Sequence, residues 1–271
     1  MEIVKPMLAH MYERKLKHVT FPGYVQPKLD GIRACWNGYG LYTRAGHSIV
    51  SMPLLVKELR EYFYGTNIDG ELYYKGGKFE DIASSTSRTV NIEENKKIQY
   101  WMFDMIYDDE PFSNRISSLA KRFVTFRQCK NFTTKRLIIT PTYTVNNVQQ
   151  LEDYFAQFTR EGFEGAMYRN AYGYYQKSVR SVYLLKMKAW KTIIAKIIGF
   201  APGKGKHTGK LGAFMCVIGS NRIRVGTGMN DNIRQQVWDK HKRYMHTSIK
   251  IKYQELTKYG IPRFPVFEGF V

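Results

Sequence analysis

The spacing of hydrophobic and polar positions changes period several times along this chain. Tyr24 to Lys28 and Ile32 to Trp36 read as strands, followed by a turn at Asn37-Gly38-Tyr39-Gly40. From Pro53 to Tyr64 apolar residues fall at Leu54, Leu55, Leu59 and Phe63, a helical spacing. Pro53 suits the first turn, where its missing N–H would have no helical partner. Ile68 to Tyr74 and Ile98 to Ile106 alternate as strands do. Ser113 to Cys129 and Asn147 to Thr159 predict helices, with Asn146 as N-cap of the second. Ala166 to Tyr168 and Tyr183 to Lys188 predict further short strands. The sum is an α+β pattern with a largely antiparallel sheet.

After Trp190 the texture changes. Five short β-like runs stand there: Ile193 to Phe200, Ala213 to Ile218, Arg222 to Val225, Ile249 to Tyr253 and Phe264 to Phe270. A helical stretch, Asn232 to His241, interrupts them. Five strands and a helix in a small basic segment match a Greek-key barrel of the OB type. The hinge is placed at Ala189-Trp190-Lys191, and the sequence has neither an internal repeat nor a low-complexity segment.

Charge narrows the partner. The 271 residues carry a net charge of +19, which fits a polyanion, nucleic acid first and a membrane surface second. From Trp190 onward ten Lys and five Arg stand against four acids, +11 over 82 residues. A hydrophobic content of 44% supports a buried core and excludes a disordered chain. Apolar runs as short as Leu137-Ile138-Ile139 fall far below the roughly 18 residues that span a bilayer, so a membrane-spanning protein is excluded. The start, Met1 to Pro6, has charge and proline where a secretory signal needs an apolar stretch. Cys35, Cys129 and Cys216 lie too far apart for a disulfide framework or metal cluster, and read as reduced thiols. The expectation is a cytoplasmic protein, bacterial or phage-encoded and not secreted.

Candidate chemistry begins at Lys28-Leu29-Asp30-Gly31-Ile32-Arg33, between two strands. A lysine there offers an amine to a ligand lying over the sheet, although taken alone the segment is also an ordinary charged turn. The order of the downstream segments changes that balance: Arg44-Ala45-Gly46, Asp69-Gly70-Glu71, Phe103-Asp104, Glu164-Gly165 and Lys186-Met187-Lys188. In that order these segments resemble motifs I, Ia, III, IIIa, IV and V of the covalent nucleotidyltransferases, and within them the ATP-dependent DNA ligases. The C-terminal third adds Pro202 to Lys206, Gly209 to Gly212, Val225 to Gly228, Tyr253 to Thr257 and Gly260 to Pro265. These resemble the OB domain of the minimal two-domain ligases of bacteria and phages, and the resemblance covers about the whole chain.

The resemblance implies an ATP-grasp-like adenylation (nucleotidyltransferase) domain with antiparallel sheets over residues 1–189, then an OB-fold β-barrel over 190–271. It implies a monomer that seals nicks in double-stranded DNA. Lys28 would take AMP from ATP, pass it to the 5′-phosphate, and the 3′-hydroxyl would displace it. Lys186 and Lys188, alternate residues of one strand, point to one face and would neutralise the α-phosphate. As cations they would also lower the Lys28 pKa from about 10.4. Glu71 is expected on the ribose and on a metal, Glu164 on the metal, which is Mg²⁺ or Mn²⁺. Asp30 would tune Lys28 or hold a metal-bound water, Arg33 would contact the nucleotide, and Arg44 the 5′-phosphate of the nick. Phe103 is the candidate adenine platform, though its place between Trp101 and Met105 also suits a core aromatic. Lys204, Lys206 and Lys210, beside His207 and interleaved with glycines, would approach DNA phosphates.

Two positions depart from the family pattern. Gln26 stands where a base-selecting glutamate is common, and its amide offers both donor and acceptor to the adenine edge. Arg263-Phe264-Pro265 replaces an RxDK-type motif, leaving Arg263 as the residue to reach the pyrophosphate leaving group. Two alternatives stay open: an RNA ligase or mRNA-capping guanylyltransferase of the same superfamily, and a non-catalytic OB-type nucleic-acid-binding protein.

Overall fold

The computed structural model describes residues 4–90, 96–128, 134–257 and 259–271. It divides into two compact units, Met1–Lys188 and Ala189–Val271. Cys129, and with it the end expected for its helix, lies outside the described residues; Cys35 and Cys216 are free thiols buried in the interior.

Among the described residues the first unit carries ten strands: β1 (Leu8–Met11), β2 (Gly23–Lys28), β3 (Ile32–Asn37), β4 (Leu41–Thr43), β5 (Asn67–Tyr73), β6 (Gln99–Met105), β7 (Leu137–Ile139), β8 (Tyr143–Val145), β9 (Gly165–Asn170) and β10 (Arg180–Lys188). Its α-helices are α1 (Pro53–Phe63), α2 (Phe79–Thr86), α3 (Phe112–Arg127) and α4 (Val148–Arg160). The strands form two five-stranded sheets, ordered β1-β10-β9-β2-β8 and β4-β3-β5-β6-β7. Pairing is antiparallel except for β1 with β10 and β6 with β7.

One core runs between sheets and helices, including Trp36, Leu55, Leu59, Phe63, Tyr100, Phe158 and Tyr168. On α1 the buried set is Leu55, Leu59, Tyr62 and Phe63, while Leu54 faces outward. The Trp36 indole N–H donates to the Phe63 carbonyl at 2.8 Å, giving the helix end a partner it lacks internally. The N-cap of α4 is Asn147 rather than the expected Asn146. The Asn147 side chain accepts from the Gln150 amide at 2.9 Å, and Gln150 Oε1 reaches back to the Asn146 N–H at 2.8 Å. That reciprocal capping starts the helix one residue later than the apolar spacing alone indicates.

Four strands (β1, β4, β7, β8) and helix α2 have no counterpart in the sequence expectation. Strands of three or four residues are too short to display a period, so their partners decide them.

The second unit is one sheet in the order β13-β12-β11-β14-β15. Its strands are β11 (Lys191–Pro202), β12 (Leu211–Ile218), β13 (Asn221–Val225), β14 (Ser248–Tyr253) and β15 (Val266–Phe270), with helices α5 (Asp231–Asp239) and α6 (His241–Tyr244) before β14. The sheet is OB-like but is not the closed barrel expected from sequence. Among the described residues an isolated parallel bridge, Thr227 just past β13 with Val266 of β15, joins the two edges. One such contact brings the edges together without continuing the hydrogen-bond ladder. Phe214, Cys216, Ile249, Ile251 and Phe267 fill this unit's separate core. No helix among the described residues is long and apolar enough to cross a membrane.

Candidate active site

Register alone assembles the floor of the candidate cavity. In the first sheet β9 lies between β2 and β10, and three rows run across them: Tyr24–Arg169–Leu184, Gln26–Met167–Lys186 and Lys28–Gly165–Lys188. Alternate residues of a strand share a face, so all nine positions look the same way. The middle of the third row is glycine, which leaves space between two lysines two strands apart. A Cβ on Gly165 would sit 2.1 Å from the Met187 carbonyl oxygen, and its φ of +151° is one that side chains rarely adopt. Glu164 fills the space, its two carboxylate oxygens ion-paired to Lys28 and to Lys188. The Glu164 amide donates to the Lys28 carbonyl at 3.0 Å, locking the carboxylate beside the amine.

The second sheet supplies the facing wall. Arg33 pairs with Glu71 across β3 and β5, and Glu71 accepts from the Gly31 amide at 2.8 Å. Gly31 is glycine for a steric reason, because a Cβ would come within 2.2 Å of the Leu72 carbonyl oxygen. Arg33 Nε donates to Asp69 Oδ1 at 2.9 Å, and the Tyr175 hydroxyl donates to Asp69 Oδ2 at 2.6 Å. Between β5 and β6 the register slips: Asp69 faces Asp104 and Gly70 faces Met102, so Phe103 is the extra residue of a bulge. A bulge re-aims its side chain and frees its backbone. The Phe103 ring lies 5.6 Å from the Arg33 guanidinium and 5.2 Å from that of Arg169.

The two sheets enclose a cavity of about 270 Å³, walled among others by Gln26, Lys28, Arg33, Arg44, Glu71, Phe103, Arg169, Lys186 and Lys188, with Glu164 behind Lys28 and Lys188. Asp30 acts on the site by charge, as one of the carboxylates that favour the Lys28 ammonium. Lys204, Lys206, Lys210 and Arg263 belong to the second unit. There Lys210 and His207 face Asp231 at 3.5 and 3.6 Å, and Arg263 reaches Glu255 at 3.3 Å.

The electrostatics differ from the expectation at the nucleophile. Burial works against the Lys28 ammonium, but the carboxylates of Glu164 and Glu71 outweigh it and hold the pKa above its ordinary value. The depressed amine is instead that of Lys186, lowered by burial first and then by Lys188 and Lys28. For Glu164, burial is overcome by Lys28 and Lys188, and its pKa falls below the ordinary value. For Glu71 burial wins against Lys28, and its carboxyl is pushed up to about 7.

Arg169 was not among the residues expected from sequence. It is buried, donates through Nε to Gln26 Oε1 at 2.7 Å and through Nη1 to Asp104 Oδ2 at 2.8 Å. Asp104 also accepts from Arg115, at 2.8 and 3.1 Å. The available signal was the alternation Gly165, Met167, Arg169, which places the arginine on the face of the lysine row.

Two sheets around a cavity lined by lysines, arginines and the carboxylate of Glu71, followed by a separate OB-like sheet, define a nucleotidyltransferase fold of two units. Residues 6–188 match the family model described as ATP dependent DNA ligase domain, and residues 202–270 that described as DNA ligase OB-like domain. The chain belongs to the ATP-dependent DNA ligase family. It is similar to the DNA ligase of Haemophilus influenzae, 26% identical over 96% of this chain and 90% of that one. A DNA ligase of African swine fever virus is 28% identical over 69% of this chain but 46% of its own length, so the match spans about half of the viral relative. Among solved structures, a Lig E DNA ligase described as binding DNA with a minimal scaffold superposes with a TM-score of 0.80, at 26% identity over 100% of both chains. The Chlorella virus DNA ligase-adenylate superposes at 0.60, 28% identical over 100% of this chain and 99% of that one.

Proposed function

We propose that the chain seals nicks in duplex DNA as a monomer, carrying AMP on Lys28. The observation that supports this best is the row Lys28–Gly165–Lys188 with Glu164 between its lysines. In the first transfer Nζ of Lys28 attacks the α-phosphorus of ATP. A P–N bond forms, the bond to pyrophosphate breaks, and pyrophosphate leaves. Because Lys28 is held as an ammonium, Nζ sheds one proton before attack and a second as the phosphoramidate forms. Glu164, already its hydrogen-bond partner, accepts the first, and the second passes to water. Lys186 and Lys188 balance charge on the phosphate, Phe103 stacks on the purine, Arg33 contacts the nucleotide and Glu71 the ribose.

In the second transfer a 5′-phosphate oxygen at the nick attacks the same phosphorus. The P–N bond breaks and the Lys28 amine takes back its protons. In the third the 3′-hydroxyl attacks the 5′-phosphorus, losing its proton, and AMP departs. Arg44 is the residue for the 5′-phosphate. The basic turn at Lys204, Lys206 and Lys210 serves the DNA backbone, and Arg263 the pyrophosphate. Residues 1–189 thus act as the adenylation domain and 190–271 as the OB domain.

Among the described residues no cluster of three or more His, Cys, Asp or Glu side chains could hold a metal alone. Glu71 and Glu164, both acting on Lys28, offer two carboxylates, a donor set that fits Mg²⁺ or Mn²⁺ completed by phosphate oxygens and water. Such an ion, when bound, supplies charge neutralisation at the triphosphate.

The test incubates the protein with α-labelled ATP and Mg²⁺, then adds a nicked duplex. Label should attach to the protein and leave as the nick is sealed. Lys28→Ala should take no label, and label on that variant overturns the nucleophile. Transfer to RNA but not DNA overturns the choice of substrate.

A further inference from the structure

Gln26 is held so that its amide can face only one way. Its Nε2 donates to the Phe103 carbonyl at 3.0 Å and to Thr142 Oγ1 at 2.9 Å. The carbonyl can only accept. The Thr142 hydroxyl gives its own hydrogen to the Thr140 carbonyl at 3.0 Å, so it too accepts from Gln26. On the other side Arg169 Nε, which can only donate, lies 2.7 Å from Gln26 Oε1. Flipping the amide would set Nε2 against a guanidinium and Oε1 against two acceptors.

Both amide hydrogens are thereby used within the protein. Oε1 has two lone pairs and Arg169 takes one of them. The capacity Gln26 keeps for a ligand in the cavity it lines is therefore that of an acceptor. Adenine presents an exocyclic amino group, a donor, at C6. Guanine presents a carbonyl oxygen there, which would meet Oε1 acceptor to acceptor.

We propose that Arg169 is a positioning residue for purine choice: by fixing the Gln26 carboxamide as an acceptor, it makes an amide discriminate adenine from guanine. The inference rests on the nucleotidyl-transfer reading of the site. Arg169 is itself over-determined, with Nη1 on Asp104 and its guanidinium 4.7 Å from the Phe112 ring centre. The bulge at Phe103 also contributes, since the backbone it displaces provides the carbonyl that captures one of the amide hydrogens.

The readout is the ratio of covalent label from ATP to label from GTP, measured on the full chain. Arg169→Met removes the donor that holds Oε1 and leaves the Phe103 carbonyl and Thr142, whose hydroxyl can rotate to donate, as the contacts opposing a turned amide. The ratio should fall by up to about tenfold, the worth of one hydrogen bond of ordinary strength. Arg169→Lys, which keeps a donor, should restore much of it. A general loss of packing would lower both labels together and leave the ratio in place. If Arg169→Met does not fold, Gln26→Leu tests the same point with the Arg169–Asp104 pair intact, and should lose the same discrimination. A folded Arg169→Met or Gln26→Leu that keeps the wild-type ratio overturns the proposal. Wild-type protein that takes no label from either nucleotide overturns the parent reading instead.

Discussion

Asp104→Asn tests how much of the first unit's stability hangs on one buried carboxylate. Asp104 accepts from Arg115 at 2.8 and 3.1 Å and from Arg169 at 2.8 Å. The side chains of Asp104, Arg115 and Arg169 are 0%, 1% and 3% exposed. Asparagine keeps the shape but removes the charge between two guanidiniums and turns a donor toward one of them. Taking one partner from a buried ion pair costs about 3–5 kcal/mol. Arg115 retains the Glu110 and Gly173 carbonyls at 2.6 and 3.0 Å, which favours the lower part of that range, about 3–4 kcal/mol. For a unit of this size each kcal/mol moves Tm by about 2–4 °C, so the expected fall is about 6–16 °C. The control is Asp108→Asn, which breaks the Lys177 pair at 2.6 Å with side chains 39% and 58% exposed. Exposed pairs contribute at most about 1 kcal/mol, so its Tm should move by less than about 4 °C. The assay is calorimetric melting of the full chain at pH 7, following the first unit's transition. Equal shifts in the two variants would refute the reasoning, because Asp104 is buried between two guanidiniums while Asp108 is exposed beside one ammonium.

Gly165→Ala should lower the first unit's stability by at least about 2 kcal/mol and abolish covalent labelling from ATP, since the new Cβ would collide with the Met187 carbonyl in the row that aligns Glu164 with Lys28; normal labelling at an unchanged Tm would show that the close approach is not needed. Arg234→Met should destabilise the second unit by roughly 3 kcal/mol or more, read by denaturant unfolding, because the guanidinium serves the carbonyls of Leu211, Gly212 and Gly226 at 2.7, 2.9 and 2.7 Å. Loss confined to the first unit's transition would contradict it. Burial, then Lys15 and Arg180, lower the His10 pKa from 6.5; below that value the unfolded chain takes a proton the native state resists, so this contribution to stability is lost as pH falls from about 6.5. His10→Asn should flatten the Tm-against-pH curve on its acid side, and identical curves would remove His10 from the account.

Much of the site was legible because its chemistry sits in short contiguous segments. Lys28, Asp30 and Arg33 lie at the junction of two predicted strands, and the alternation of Lys186 and Lys188 correctly placed both on one face. The longer elements were legible too: α1 and α4 have enough turns to display a 3.6-residue period, and β2, β3 and β10 enough residues to alternate. What escaped was whatever depends on a partner far along the chain. The acceptor role of Gln26 requires Arg169, Phe103 and Thr142, which come from three other segments. The charged state of Lys28 ran against expectation for the same reason, since the nearby cations were visible in sequence while the placement of Glu164 between two lysines was not.

The sequence by itself determined the order of the motifs, the periodicity of the longer helices and strands, the change of texture after Trp190 and the basic balance of the C-terminal third. These are properties of residue type and spacing, and they survive without a fold. Tertiary structure alone decided the register that sets Lys28, Gly165 and Lys188 in one row, the bulge that aims Phe103, and which of two opposing effects wins at each ionisable group. The physical reason is that at Lys28, and again at Glu71, burial and the neighbouring charges push in opposite directions. Their balance depends on distances and solvent exclusion, and only the packed sheets supply those.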